Sequence, residues 1–251
     1  MTARPGVPGT SPVGVPDHGA RATRAEVCVA ACADLFAADG EILASPMGMI
    51  PSLGARLARL THAPDLLLSD GEAYLLGTDG EVEGWLPYRR VFDVVASGRR
   101  HVVMGANQLD RYGNQNISCI GDHARPTRQL LGVRGAPGNS VNHRTSYWVP
   151  RHSPRVFVAR VDAVSGVGHD KGFHHVHRVV TNLAVLDFGG PGHTMRLVSV
   201  HPGVTVEHVA DQTGFELATD DVAVTRVPTE KELALLRAQL DPDGRREREL
   251  P

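Results

Sequence analysis

The amino-acid sequence predicts an α/β fold built on an open, mainly parallel sheet, and three observations carry that prediction. Short apolar runs of strand length occur at Leu66-Leu67-Leu68 and His101-Val102-Val103-Met104. Each opens into a polar or glycine-containing turn. Between and around them, apolar residues recur at helical spacing behind capping signals. Such alternation puts a ligand site at the strand ends.

The elements follow in order. Thr23 with Glu26 forms a capping box ahead of Val27, Ala30, Ala31 and Leu35, a helical stripe expected to stop near Gly40. Glu41 to Ala44 is a short strand, and Leu53, Leu57 and Leu60 carry a second helix as far as Thr61. Pro64 closes that helix, and Leu66 to Leu68 is a strand buried on both faces that ends in the turn Ser69-Asp70-Gly71-Glu72. A helix is expected over Tyr88 to Ala96 and a strand over His101 to Met104. Further strands are expected at Arg155 to Val161, Val179 to Leu186 and Met195 to Val200. Thr205 caps a helix through Gln212, stopped by a left-handed Gly214, and Thr229 with Glu232 caps the last helix, bearing Leu233, Leu236 and Leu240.

The chain of 251 residues divides into a disordered arm over 1–20, a single domain over 21–240 and a charged flexible tail over 241–251. Hydrophobic residues make up 41% and charged residues 22%, which is globular composition. Lys plus Arg, 26, nearly cancels Asp plus Glu, 28, so there is no cationic surplus for nucleic acid. No apolar run approaches the roughly 18 residues of a membrane span, and no secretory segment opens the chain; a cytoplasmic, non-membrane protein is expected. Cys28, Cys32 and Cys119 have no zinc-knuckle spacing and are read as reduced and buried.

Functional side chains concentrate in three places. Asn107 to Asn116 follows the strand ending at Met104; its carboxamides, Gln108 and Asn114 among them, can orient a substrate carbonyl or organise neighbouring loops. Gly132 to Asn139 is glycine-rich, with Arg134, Gly135, Gly138 and Asn139 suited to an oxyanion or phosphate. Asp70 and Glu72 set two carboxylates at the end of a strand, where they can serve as acid, base or nucleophile, or can simply shape a turn. His169, His174, His175 and His177 lack a completing carboxylate pattern, so no metal is assigned.

Several separated motifs then occur in a familiar order. Leu60-Thr61-His62-Ala63-Pro64, Gln108-Leu109-Asp110-Arg111-Tyr112-Gly113-Asn114, Ile120-Gly121-Asp122, Ser199-Val200-His201-Pro202-Gly203-Val204, Thr213-Gly214-Phe215 and Pro228-Thr229-Glu230 together resemble the β subunit of family I CoA-transferases, glutaconate CoA-transferase especially. The resemblance implies the open α/β fold of that subunit, a homologous α subunit in an α2β2 heterotetramer, and an acyl-CoA site between them. CoA then belongs to the substrate, and no further cofactor is implied.

Two departures from the family pattern bear on the chemistry. The family's catalytic glutamate attacks a thioester from a turn after the strand that follows Thr-His-Ala-Pro; ungapped counting from Pro64 puts Gly71 there and Glu72 one residue late. Ala136-Pro137 interrupts the paired glycines, although Asn139 matches the family's asparagine. With these departures the chain is similar to the actinobacterial steroid-degrading branch of the family. That branch implies hydrolytic C–C cleavage of the last steroid-derived ring of a CoA thioester, with Glu72, Asp70 and Gln108 as catalytic candidates, Asn114, Arg134, Gly135, Gly138 and Asn139 at the ligand, and the main base on the partner. Two alternatives stand beside it: a genuine CoA-transferase using Glu72, and a scaffold subunit whose active residues all lie on its partner.

Overall fold

The computed structural model describes residues 22–251, so the arm expected over 1–20 lies outside the described residues. Helix α1 (Arg24–Asp34) starts where cap and apolar face coincide: Thr23 Oγ1 accepts the Glu26 N–H at 3.2 Å, and the Glu26 carboxylate accepts the Thr23 N–H at 2.9 Å. It ends earlier than the expected stop near Gly40, and β1 (Leu43–Pro46) starts two residues later than expected. There follow α2 (Met49–Thr61), β2 (Leu67–Ser69), β3 (Tyr74–Leu76), β4 (Val82–Trp85), α3 (Tyr88–Ser97) and β5 (Arg100–Gly105). Two small hairpins come next, β6 (Gln108–Leu109) with β7 (Gln115–Asn116) and β8 (Cys119–Ile120) with β9 (Arg128–Gln129). The chain continues through α4 (Ala136–Asn142), β10 (Arg144–Val149), β11 (Val176–Thr181), β12 (Ala184–Asp187), β13 (Arg196–Val200), α5 (Val206–Asp211), β14 (Ala223–Val224) and α6 (Glu230–Leu235).

Ten strands form one sheet in the order β14-β13-β12-β11-β10-β5-β1-β2-β3-β4. Its centre, β11-β10-β5-β1-β2, is parallel, as the apolar runs predict, and antiparallel pairings flank it on both sides. Side chains alternate across the centre. Val103, Trp148 and Val180 pack with α1 and α2 on one face, while Val102, Met104, Tyr147, Val149 and Val179 pack with Leu109, Phe157 and Phe188 on the other. All three cysteines are buried and free.

Several expectations are corrected. Leu67 is 49% exposed, so β2 is covered on one face only there. Arg155 to Val161 is not a strand: the Ser153 carbonyl accepts the N–H groups of both Val156 and Phe157 at 2.9 Å, which turns the chain and leaves Phe157 stacked on His152. Val179 to Leu186 is two strands, because Thr181 Oγ1 accepts from Leu183 N and Ala184 N at 3.0 Å and reverses the backbone. Gly214 lies outside the left-handed region; it is needed because a Cβ there would stand 2.4 Å from the Phe157 carbonyl oxygen. The charged C-terminal segment is docked instead of loose. Arg246 donates to the buried Glu26 carboxylate at 2.7 Å and to Asp241 at 2.9 Å, and Glu249 accepts from Trp148 Nε1 at 2.9 Å and Ile50 N at 2.6 Å.

Candidate active site

Two loops distant in sequence meet at the C-terminal end of the parallel strands. In the turn after β2, Asp70 Oδ1 accepts the N–H groups of Glu72 and Ala73 at 2.8 Å and Tyr74 at 3.0 Å, so this carboxylate shapes the turn. Gly71 within it has φ +90°, and a Cβ there would stand 2.5 Å from the Pro46 carbonyl oxygen at the end of β1. The backbone thus excludes a side chain at the position where ungapped counting would place the family's glutamate. Glu72 points outward instead, and its Oε1 takes a hydrogen bond from Arg134 Nη2 at 2.5 Å. That pair joins the turn to the loop before α4.

Beneath the pair runs a buried polar chain. Gly71 N donates to Ser69 Oγ at 3.2 Å, Ser69 Oγ meets Ser45 Oγ at 3.3 Å, Arg100 Nε donates to Ser45 Oγ at 3.1 Å, and Arg100 Nη1 donates to Asn139 Oδ1 at 3.0 Å. Arg100 is 5% exposed and both of these acceptors are neutral, so burial lowers its pKa to about 10. The same line therefore ties Asp70's turn to Asn139 through the centre of the sheet. Gly135 immediately precedes α4. Gly138 has a packing role: a Cβ there would fall 2.6 Å from Val95 Cγ1, so its small size lets α4 close on α3.

Gln108 and Asn114 lie apart from this junction in their bonding. Gln108 is buried; its Nε2 donates to Asp162 Oδ2 at 2.9 Å, and its Oε1 accepts from Asp162 N at 2.9 Å and Asn116 Nδ2 at 2.7 Å. Asn114 Nδ2 donates to Asp110 and Asp170, each at 2.9 Å, and its Oδ1 accepts from Gly168 N at 2.8 Å. Burial pushes the Asp110 carboxyl up from its ordinary value, against the bonds from Asn114 and the backbone. Both carboxamides thus organise neighbouring loops, one of the two roles the sequence allows them: the bonds to Asp110, Asp170 and Gly168 engage the whole Asn114 amide, whereas Gln108 Nε2 commits one of its two N–H groups, to Asp162. Gln115 Nε2 donates to Gly105 O at 2.6 Å and fastens the hairpin to the end of β5.

Arg100 and Ser45 escaped the sequence reading, although a charged residue opening an apolar strand was a visible signal. So did Asp39, His101 and Ser146, which form an acid–histidine–serine line: His101 Nδ1 is 2.5 Å from Asp39 Oδ2 and His101 Nε2 is 2.9 Å from Ser146 Oγ. All three side chains are sealed from solvent, burial pushes His101 down, and Arg144 pairs with Asp39 at 3.2 Å. This line is a buried polar network that ties the segment after α1 to β5 and β10.

Among the described residues no helix is long and apolar enough to cross a membrane. The coenzyme A transferase family matches residues 92–212. A cholesterol ring-cleaving hydrolase IpdB subunit of Rhodococcus jostii RHA1 is 59% identical over 91% of this chain and 96% of that protein. A 3-oxoadipate CoA-transferase subunit from Pseudomonas knackmussii is 32% identical over 75% of this chain and 83% of its own length. The crystal structure of Rhodococcus jostii RHA1 IpdAB superposes with a TM-score of 0.87 at 58% identity, covering 92% of this chain and 99% of that one. The open sheet, the motif order and these similarities agree: the chain belongs to the coenzyme A transferase family, in the group of the cholesterol ring-cleaving hydrolase IpdB subunits.

Proposed function

We propose that this chain is the β-type subunit of a heteromeric cytoplasmic enzyme, α2β2 in composition, that hydrolytically opens the last steroid-derived ring of a CoA thioester. The observation that carries the reading is Gly71. Its left-handed backbone and the 2.5 Å approach of a Cβ to Pro46 O exclude a glutamate at that position, and the neighbouring Glu72 is paired with Arg134. A transferase needs a carboxylate free to attack the thioester.

Hydrolytic opening needs none. Water adds to one carbonyl of a cyclic β-dicarbonyl, the bond between that carbon and its neighbour breaks, the electron pair passes into the enolate of the other carbonyl, and a proton completes the product beside the new carboxylate. In this reading CoA arrives with the substrate and no separate cofactor takes part. The homologous α subunit supplies the base, while the Glu72–Arg134 junction and Gly135 border the thioester arm and Asn139 supports them from below.

The test is turnover of a ring-bearing CoA thioester by the complex of this chain with its α subunit in isotopically labelled water. One labelled oxygen in the new carboxylate, with no acceptor acid and no borohydride-trapped adduct on Glu72, is the expected result. Dependence on an acceptor acid together with a Glu72 adduct establishes the transferase instead.

A further inference from the structure

Outside the candidate active site, three histidines from two segments converge. His169 opens a short 3-10 turn, His174 follows it by five residues, and His193 lies in the turn between β12 and β13. One imidazole nitrogen from each lies within 4.8 Å of the other two. His175 and His177, which the sequence grouped with them, are outside this cluster; His177 is bonded to Arg144.

The arrangement is more specific than proximity. His169 Nε2 is 2.9 Å from the Val176 carbonyl oxygen, an acceptor only, so that nitrogen carries the proton and Nδ1 keeps its lone pair. That Nδ1 faces His174 Nδ1 at 3.0 Å. A backbone carbonyl fixing the tautomer of a ligating imidazole is the usual outer-shell device of metal sites. The His169 ring is further held by Phe188, stacked at 4.7 Å. His193 has φ +61°, a left-handed conformation rare for a residue with a side chain, and follows Gly192 at φ +64°. This turn delivers its ring to 4.7 Å from His174 and 5.7 Å from His169.

We propose that His169, through Nδ1, with His174 and His193 binds one borderline divalent transition-metal ion of the Zn2+ class. Three neutral imidazoles with no carboxylate select against Mg2+ and Ca2+. A tetrahedral ion at about 2.0–2.1 Å from each nitrogen needs ligand atoms about 3.4 Å apart. His174 and His193 are exposed, so side-chain rotation closes the remaining distance. The fourth position is open to water. The bound ion braces the turn from Asp110 to Asn114, because the Gly168 and His169 N–H groups hold Asn114 Oδ1 and Tyr112 O at 2.8 and 2.9 Å, and Asp170 accepts from Asn114.

The experiment uses the untagged complex of the full chain with its partner subunit, stripped with chelator, dialysed against Zn2+ and analysed for metal content, with a parallel Co2+ titration followed by visible absorption. One ion per chain and the d–d bands of tetrahedral, nitrogen-ligated Co2+ are expected. His174→Ala and His193→Ala each weaken binding at least about tenfold, and His175→Ala leaves it unchanged. Both altered residues are exposed, and circular dichroism checks that the variants stay folded. Absence of stoichiometric binding, binding that survives both substitutions, or equal loss in His175→Ala overturns the proposal.

Discussion

Glu72 and Arg134 stand 62 residues apart in sequence, yet Oε1 of the first and Nη2 of the second are 2.5 Å apart, closing a bridge between the turn after β2 and the loop before α4. Both side chains are 62% exposed, so the pair contributes less than about 1 kcal/mol to folding. Its effect lies in loop placement. Glu72→Gln is expected to raise KM for the acyl-CoA severalfold while leaving kcat nearly intact; abolished kcat at unchanged KM would return Glu72 to the role of nucleophile.

Installing the family's carboxylate at the ungapped position does not rebuild a transferase. Gly71→Glu forces a side chain onto a backbone with φ +90° and into the Pro46 carbonyl, at a cost of about 2 kcal/mol or more. A lowered denaturation midpoint and no trapped thioester on residue 71 are expected from denaturant titration and peptide mass spectrometry. An unchanged midpoint contradicts the backbone argument.

Asn139 is 2% exposed and accepts from the Arg100 guanidinium. Asn139→Ala leaves a buried cation short of an acceptor and is expected to destabilise the fold by about 1.5–3 kcal/mol. A residue serving only to bind ligand would leave stability where it was. Equilibrium unfolding of the variant separates the two.

Buried neutral histidines make acid destabilising. Burial pushes His152 down to about 3 and His201 to about 4, whereas the unfolded chain takes up these protons near 6.5. Their contribution is present above about 6.5 and is lost as pH falls towards the folded values, with a slope of up to about 1.4 kcal/mol per pH unit for each group. His152→Gln should therefore show a shallower decline in stability than the parent between neutral and mildly acidic pH. Parallel declines would mean that His152 is protonated in the folded protein.

Glu249 caps α2 from the far end of the chain. Gly48 gives that helix no side-chain cap, and Glu249 Oε2 accepts the Ile50 N–H at 2.6 Å while Oε1 accepts from Trp148. Glu249→Ala is expected to cost about 1–2 kcal/mol and to change the emission of Trp148. If neither moves in unfolding and fluorescence measurements, the docking of the C-terminal segment is not stabilising.

The sequence by itself determined whatever depends on local pattern. Both capping boxes, at Thr23 and Thr229, form as their spacing predicts, because a cap is satisfied within one turn of the same helix. The apolar stripe of α2 and the short apolar runs of β2 and β5 likewise announce helix, strand and parallel centre, although burial of β2 on both faces does not follow from its run. The motif order from Thr61 to Glu230 was sufficient for the family. Tertiary structure alone decided the rest. That the Gln108 amide meets Asp162, 54 residues away, depends on a loop pairing with no local code. The same holds for Arg246 reaching Glu26 across 220 residues, which turns an apparently loose charged tail into packed structure, and for His193 joining His169. A side chain's spare hydrogen-bond capacity and a carboxylate's freedom to react are set by what the fold brings beside them, and that is a property of space and not of spacing.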